Sequence, residues 1–241
     1  NANTVAIDSS ATVVIAGGSE GINTSYDFAT VKYSPVGVQQ WVQRYNGVGG
    51  STDDMSGMKV DRNGNVYVLI WVDSYPDTGR KVDMQLNKYS PQGDTIWTRR
   101  YDNVIPAYYS GLAIDSSGNI YLCGSMGKFD GEIITVKYDS NGSLIWSRNF
   151  SNNNRKYTAS SSGIDVEGNF YVGGLVTTAS TSGYFVLKYA PSGALLWKAE
   201  PLIGEMSANT AGPLAVNKNG DIVITGYTGS GGQTKMWDTN G

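Results

Sequence analysis

Side chains able to engage a ligand gather between the apolar runs of this chain. One set holds Asp53-Asp54, Tyr108-Tyr109, Lys156-Tyr157 and Glu205-Met206. A second holds Tyr26-Asp27, Tyr75, Asp83 and Phe129-Asp130. Aromatic faces beside polar groups suit a sugar or a peptide. The candidate ligand-binding residues are Asp54, Tyr108, Tyr109, Tyr157, Glu205 and Asp83. Asp54, Asp83 and Glu205 are acids, and glycoside hydrolysis uses such acids in pairs. No motif fixes their separation, so binding is the leading reading and glycan cleavage the alternative. A purely structural module is the third. Histidine is absent from all 241 residues. That removes the commonest general base, the commonest metal ligand and any Ser-His-Asp triad. No catalytic residue, metal ligand or cofactor is assigned.

The elements that must position these side chains are legible in Leu112 to Phe150. Leu112-Ala113-Ile114-Asp115 is a short apolar run, and Ser116-Ser117-Gly118-Asn119 is a tight turn. Gly118 supplies the positive φ a hairpin needs, and Asp115 can bond back to the turn. Ile120 to Cys123 suits a strand. Gly124 to Gly131 reads as a looser loop, then Ile133 to Tyr138 as a strand. Asp139-Ser140-Asn141-Gly142 is a second tight turn, and Leu144 to Phe150 a fourth strand. Strands joined this way form an up-and-down antiparallel sheet.

The unit recurs. Copies lie near residues 5–45, 58–101, 112–150, 162–200 and 214–241. Third-strand lysines at 32, 88, 137, 188 and 235 step by about 50 residues, the signature of propeller blades. Second strands such as Val66-Tyr67-Val68-Leu69 lack a polar face, as a sheet covered on both sides requires. The expected fold is therefore all-β, a single-domain propeller of about five four-stranded antiparallel blades. If first strands are innermost, both sets of interrupting loops share one end of the blades. Ala6, Ala113, Gly163 and Ala215 would let neighbouring first strands approach. The last copy stops at Trp237-Asp238-Thr239-Asn240-Gly241, without the tryptophan seen as Trp41, Trp97, Trp146 and Trp197. That blade either has three strands or is completed by a longer natural chain.

Lys137-Tyr138-Asp139-Ser140-Asn141-Gly142-Ser143-Leu144-Ile145-Trp146 follows Asp115-Ser116-Ser117-Gly118-Asn119-Ile120-Tyr121. On these stretches and their copies, the chain resembles the bacterial seven-bladed beta-propeller repeat family. Its members carry D-x-x-G-N-x-Y-V-x-G and K-Y-x-x-x-G-x-x-x-W. The resemblance implies a surface or secreted bacterial protein, often one module of a larger one, with no known catalytic residues. The copies here number five rather than seven, which leaves open a five-bladed ring or part of a larger one.

Composition bounds the partners. The formal charge is −3, with 16% charged residues. No basic face stands out, so nucleic acid is not an expected partner. A glycan, a peptide or another protein is. No apolar run is long enough to span a bilayer. Loops rich in Ser, Thr, Asn and Gly lean toward the cell surface or the medium. Cys123, the single cysteine, falls in an apolar strand and reads as a core residue. The third-strand lysines are expected to lay their stems on the blade and keep their ammonium groups in water. Each fourth-strand tryptophan is expected to pack on the turn before it. The D-x-x-G-N segments read as hairpin turns, since they lack the acidic ladder of a calcium loop.

Overall fold

A computed structural model describes residues 2–20, 26–45, 54–74, 81–101, 106–126, 131–152, 154–200, 208–228 and 231–238. The chain divides into two compact units, residues 1–105 and 106–241. The first unit holds two sheets. Sheet 1 is β1 (Ala2–Ile7), β2 (Val13–Glu20), β3 (Tyr26–Tyr33) and β4 (Gln39–Tyr45). Sheet 2 is β5 (Asp54–Val60), β6 (Val66–Ser74), β7 (Lys81–Tyr89) and β8 (Thr95–Tyr101). The second unit holds three sheets. Sheet 3 is β9 (Pro106–Ile114), β10 (Ile120–Met126), β11 (Glu132–Tyr138) and β12 (Leu144–Phe150). Sheet 4 is β13 (Lys156–Ile164), β14 (Phe170–Thr177), β15 (Ser182–Tyr189) and β16 (Leu195–Ala199). Sheet 5 has three strands, β17 (Ala208–Val216), β18 (Ile222–Thr228) and β19 (Gly231–Trp237). Each sheet is an antiparallel meander in sequence order. No helix among the described residues is long and apolar enough to cross a membrane.

The turns after first strands are built alike. The Asp115 carboxylate accepts the N–H groups of Ser117 and Asn119 through Oδ1, each at 2.9 Å. Its Oδ2 accepts the Asn119 amide at 2.8 Å and the Tyr121 hydroxyl at 3.3 Å. Asp61 and Asp165 do the same with Asn65 and Tyr67, and with Asn169 and Tyr171. Protein donors thus occupy both oxygens, which makes these segments Asx-type hairpin turns. Gly118 turns at φ +81°, a region that costs a side-chain-bearing residue about 1–2 kcal/mol.

Within each unit, adjacent sheets meet through one repeated device. The Trp41 indole N–H donates to the Pro91 carbonyl at 3.0 Å, and its ring lies over Gly93, where a Cβ would come within 2.7 Å. Trp146 bonds Pro191 at 3.0 Å and lies over Gly193 in the same way. Trp41 and Trp146 therefore pack on the turn of the following sheet, whereas the sequence reading places them on the turn before. The lysines also depart from expectation. Lys32, Lys88, Lys137 and Lys188 are all buried. Lys137 donates to the Pro191 carbonyl at 3.0 Å and stands 4.7 Å from the centre of the Tyr121 ring. A carbonyl and an aromatic face replace water around the ammonium. Burial lowers its pKa, and the Asp115 charge opposes that shift.

First strands crowd together in the second unit, with β9 against β13 and β13 against β17. A Cβ on Gly111 would lie 2.2 Å from the Ser162 hydroxyl oxygen, and one on Gly163 would lie 2.6 Å from Val216. Small residues here permit the approach, as the sequence reading held. Cys123 is fully buried, and burial pushes its thiol up to about 12. It is a core residue, because the reactive form of a cysteine is the thiolate.

Candidate functional site

The tight turns occupy one end of every sheet. The opposite end carries the links between second and third strands and between successive sheets, and the candidate residues fall there. The structure places several of them on strands rather than in loops. Asp83 lies on β7 and is fully buried. It accepts the Arg100 Nε hydrogen at 2.9 Å. Asp54 opens β5 and pairs in register with Trp71, next to Val72, which pairs with Asp83. Asp54 and Asp83 therefore share one end of sheet 2, on either side of β6. Glu205, Tyr75 and Phe129-Asp130 lie outside the described residues.

Tyr157 lies on β13 and is also fully buried. Its ring meets Phe150 and Phe185 edge-on, at centroid distances of 5.0 and 5.2 Å. Its hydroxyl donates to Glu200 Oε1 at 2.7 Å. The other Glu200 oxygen pairs with Arg155, and Lys198 stands 3.3 Å from Oε1. Burial and the Glu200 carboxylate push the Tyr157 phenol well above its usual range. The reading of Tyr157 and Asp83 as open-loop residues is thus corrected: both are held inside by charge-assisted bonds. Sequence reasoning missed the Glu200 cluster, because nothing local to Glu200 marks Tyr157 as its partner.

Tyr108 and Tyr109 occupy a different position. On β9, Ala107 pairs with Ser125 and Ser110 with Gly124. The two tyrosines are thus extra residues between neighbouring pairs, a bulge in the first strand. Every first strand shifts register near this point. A single extra residue stands there in β1 (Asn3), β5 (Ser56) and β13 (Ser160), whereas β17 shifts twice, with Gly212-Pro213 opposite Thr225 and Asn209 further along. Ser56 accepts the Trp71 indole N–H at 2.8 Å. Ser160 donates toward the Gly212 carbonyl at 3.3 Å. Small polar residues thus stitch the bulge in sheets 2 and 4, whereas sheet 3 alone puts two tyrosines there. Ser125, beside this bulge, accepts the Ala159 N–H at 2.8 Å. The tyrosine bulge and Tyr157 therefore lie toward the same end of two adjacent sheets. Asp54 and Asp83 belong to the other unit. Among the described residues, no group of His, Cys, Asp and Glu is arranged to hold a metal ion.

Comparison with solved structures fits this geometry. The chain is similar to the β-propeller domain of the Trilobed protease from Pyrococcus furiosus, with a TM-score of 0.59 at 6% identity, over 100% of this chain and 68% of that one. It is similar to a protein of unknown function from Dyadobacter fermentans, with a TM-score of 0.58 at 8% identity, over 96% and 73% of the two chains. It is also similar to a gluconolactonase from Xanthomonas campestris, with a TM-score of 0.51 at 16% identity, over 98% and 72%. The sequence matches no family model and no curated protein. At these identities the likeness carries the fold and nothing of activity. The chain is an all-β protein of β-propeller blades; among the described residues, four have four strands and one has three.

Proposed function

We infer that this chain is a non-enzymatic, extracytoplasmic binding module of the bacterial seven-bladed repeat type. It takes a glycan, a peptide or a protein at the loop-bearing end of its blades. The observation that carries this reading is the Tyr108-Tyr109 bulge, which departs from the single small polar residue at the equivalent point of sheets 1, 2 and 4 and from Gly212-Pro213 in sheet 5. Bulges re-aim side chains, and paired aromatic residues suit a sugar or a peptide face. Where the acids are described, their engaged state supports binding over cleavage. Asp83 is neutralised by Arg100, and Glu200 is held by Tyr157, Arg155 and Lys198.

A glycan array on the intact chain, followed by titration of its best hit and of peptide pools, tests the reading. Tyr108→Ala and Tyr109→Ala should each weaken binding while the urea unfolding midpoint stays put. Unchanged affinity in both variants would reject the site. Release of reducing sugar from the bound glycan would reject the non-enzymatic reading.

A further inference from the structure

The seam between sheets 1 and 2 and the seam between sheets 3 and 4 are closed by the same device. Trp41 bonds the Pro91 carbonyl and Trp146 the Pro191 carbonyl, each at 3.0 Å. Two residues on, Gln43 and Arg148 donate to the Gly93 and Gly193 carbonyls at 2.7 and 3.0 Å. Tyr89 and Tyr189 stand beside the two indoles, at centroid distances of 6.3 and 6.4 Å. A device so alike in both seams does not tell sheet 2 from sheet 4 as the sheet that follows. Wrong pairing of such units is a characteristic failure of repeat proteins as they fold.

Away from the turns the two seams differ. Asp83, Gln85, Asn87 and Tyr89 alternate along β7 and so share one face. All four are buried. The Tyr45 hydroxyl of sheet 1 donates to Gln85 Oε1 at 3.2 Å. Gln85 Nε2 donates to Asn87 Oδ1 at 3.1 Å, and Asn87 Nδ2 to the Tyr89 hydroxyl at 3.2 Å. Thr98 on β8 also donates to Asn87 Oδ1, at 2.9 Å. Counted back from Tyr189, the places of Gln85 and Asn87 are held on β15 by Phe185 and Leu187, both fully buried. Counted on from the tryptophan, Phe150 stands where Tyr45 stands. Phe150 and Phe185 both meet the Tyr157 ring edge-on, at 5.0 and 5.2 Å. One seam is thus a hydrogen-bonded ladder and the other an aromatic and aliphatic cluster.

We propose that the Tyr45–Gln85–Asn87–Tyr89 ladder is an assembly key, which admits sheet 1 and rejects sheet 3 as the neighbour of sheet 2. With Phe150 in the place of Tyr45, the Gln85 side-chain oxygen would be buried without its donor, and an unmade buried bond is costly. With Tyr45 in the place of Phe150, its hydroxyl would meet Phe185 where an acceptor is needed. Each wrong neighbour is thus penalised from its own side, and the sheets assemble in chain order although their turns are alike. A fully bonded polar network specifies one arrangement more than it stabilises it. The key goes beyond ligand binding at the Tyr108-Tyr109 bulge and does not depend on it.

Refolding of the whole chain from urea at rising protein concentration tests the key, with size-exclusion chromatography reading the fraction that regains the native elution volume. The double variant Tyr45→Phe/Gln85→Met replaces both bonded groups by apolar ones of similar shape, so its urea midpoint should hold or rise. Its native fraction should nevertheless fall as concentration rises, over a range where that of the unmodified chain holds. Tyr45→Phe alone keeps the ring and removes only the bond between the sheets, and its native fraction should fall in the same direction. Native fractions equal to the unmodified chain's at every concentration, in both variants, would overturn the key. So would a loss in the double variant that only tracks a lowered urea midpoint, because the ladder would then be an ordinary stabilising contact.

Discussion

Sheets 3 and 5 lie in one unit and follow one plan, yet among the described residues one is sealed where the other is open. In sheet 3, Tyr121, Lys137 and Trp146 close the outer half of the blade, and Trp146 and Lys137 both reach the Pro191 carbonyl of the next sheet. In sheet 5, Val223 and Met236 hold the first two places and a cavity holds the third. The difference shows what a blade's second face is made of. It is less a property of the blade than of the tryptophan and the turn that close over it. A buried ammonium is tolerated in sheet 3 because a carbonyl and a ring receive it, since an unpaired buried charge is costly. In sheet 5, where nothing among the described residues closes over the face, the position carries a thioether.

The sharpest way to break this comparison is to remove the closing side chain. Trp146→Ala should cost about 3–5 kcal/mol, as for other buried aromatic truncations. Met236→Ala, at an exposed site, should stay within about 0.5 kcal/mol. Equilibrium urea unfolding of the two variants reads the difference directly. Equal losses would mean that sheet 3 owes nothing to its tryptophan.

A smaller effect sharpens the same point from the turn side. Gly193 has φ +84° with the Trp146 ring within 2.8 Å of an added Cβ, whereas Gly37 has φ +81° with nothing within 4 Å. Gly37→Ala should cost only the left-handed backbone penalty of about 1–2 kcal/mol. Gly193→Ala should cost that and also displace the indole, so its unfolding midpoint should fall further.

Acid offers the mildest probe. In sheet 4, burial raises the Asp165 pKa, but hydrogen bonds from Asn169, Tyr171 and Glu167 outweigh it and leave the group below its ordinary value. A depressed folded pKa contributes stability that is present above the unfolded pKa of about 3.9 and is lost as pH falls through the folded value. Sheet 5 carries Asn217 at this position, whose side-chain oxygen accepts the same two turn N–H groups without titrating. Asp165→Asn should therefore flatten the fall in unfolding midpoint below about pH 4. An unchanged acid profile would mean that the turn carboxylate is not what titrates.

Much of the architecture was legible because the repeat states it many times. Turn residues, apolar strands and the missing last tryptophan all sit at fixed positions along the chain. What a strand position meets across the next sheet is not written locally. The lysines read as snorkelling because Pro91 and Pro191 lie in the following repeat. Tyr157 read as a loop residue because β13 extends through a bulge that breaks the period-2 pattern, and Asp83 because β7 starts at Lys81, ahead of the Asn87-Lys88-Tyr89 stretch that marks the third strand. Tyr108 and Tyr109 stood out as a pair, but their place in a bulge depends on register with β10, which no single strand discloses. Glu200 carried no mark at all, since Tyr157 and Arg155 come from another strand and a turn.

Hydrogen exchange at individual amides tests the contrast between closed and open blades most directly. β11 is paired on both sides and β19 on one among the described residues. The account predicts slow exchange along Ile133–Tyr138 and fast exchange along Thr234–Trp237 in the free chain. Equal protection of the two strands would contradict it.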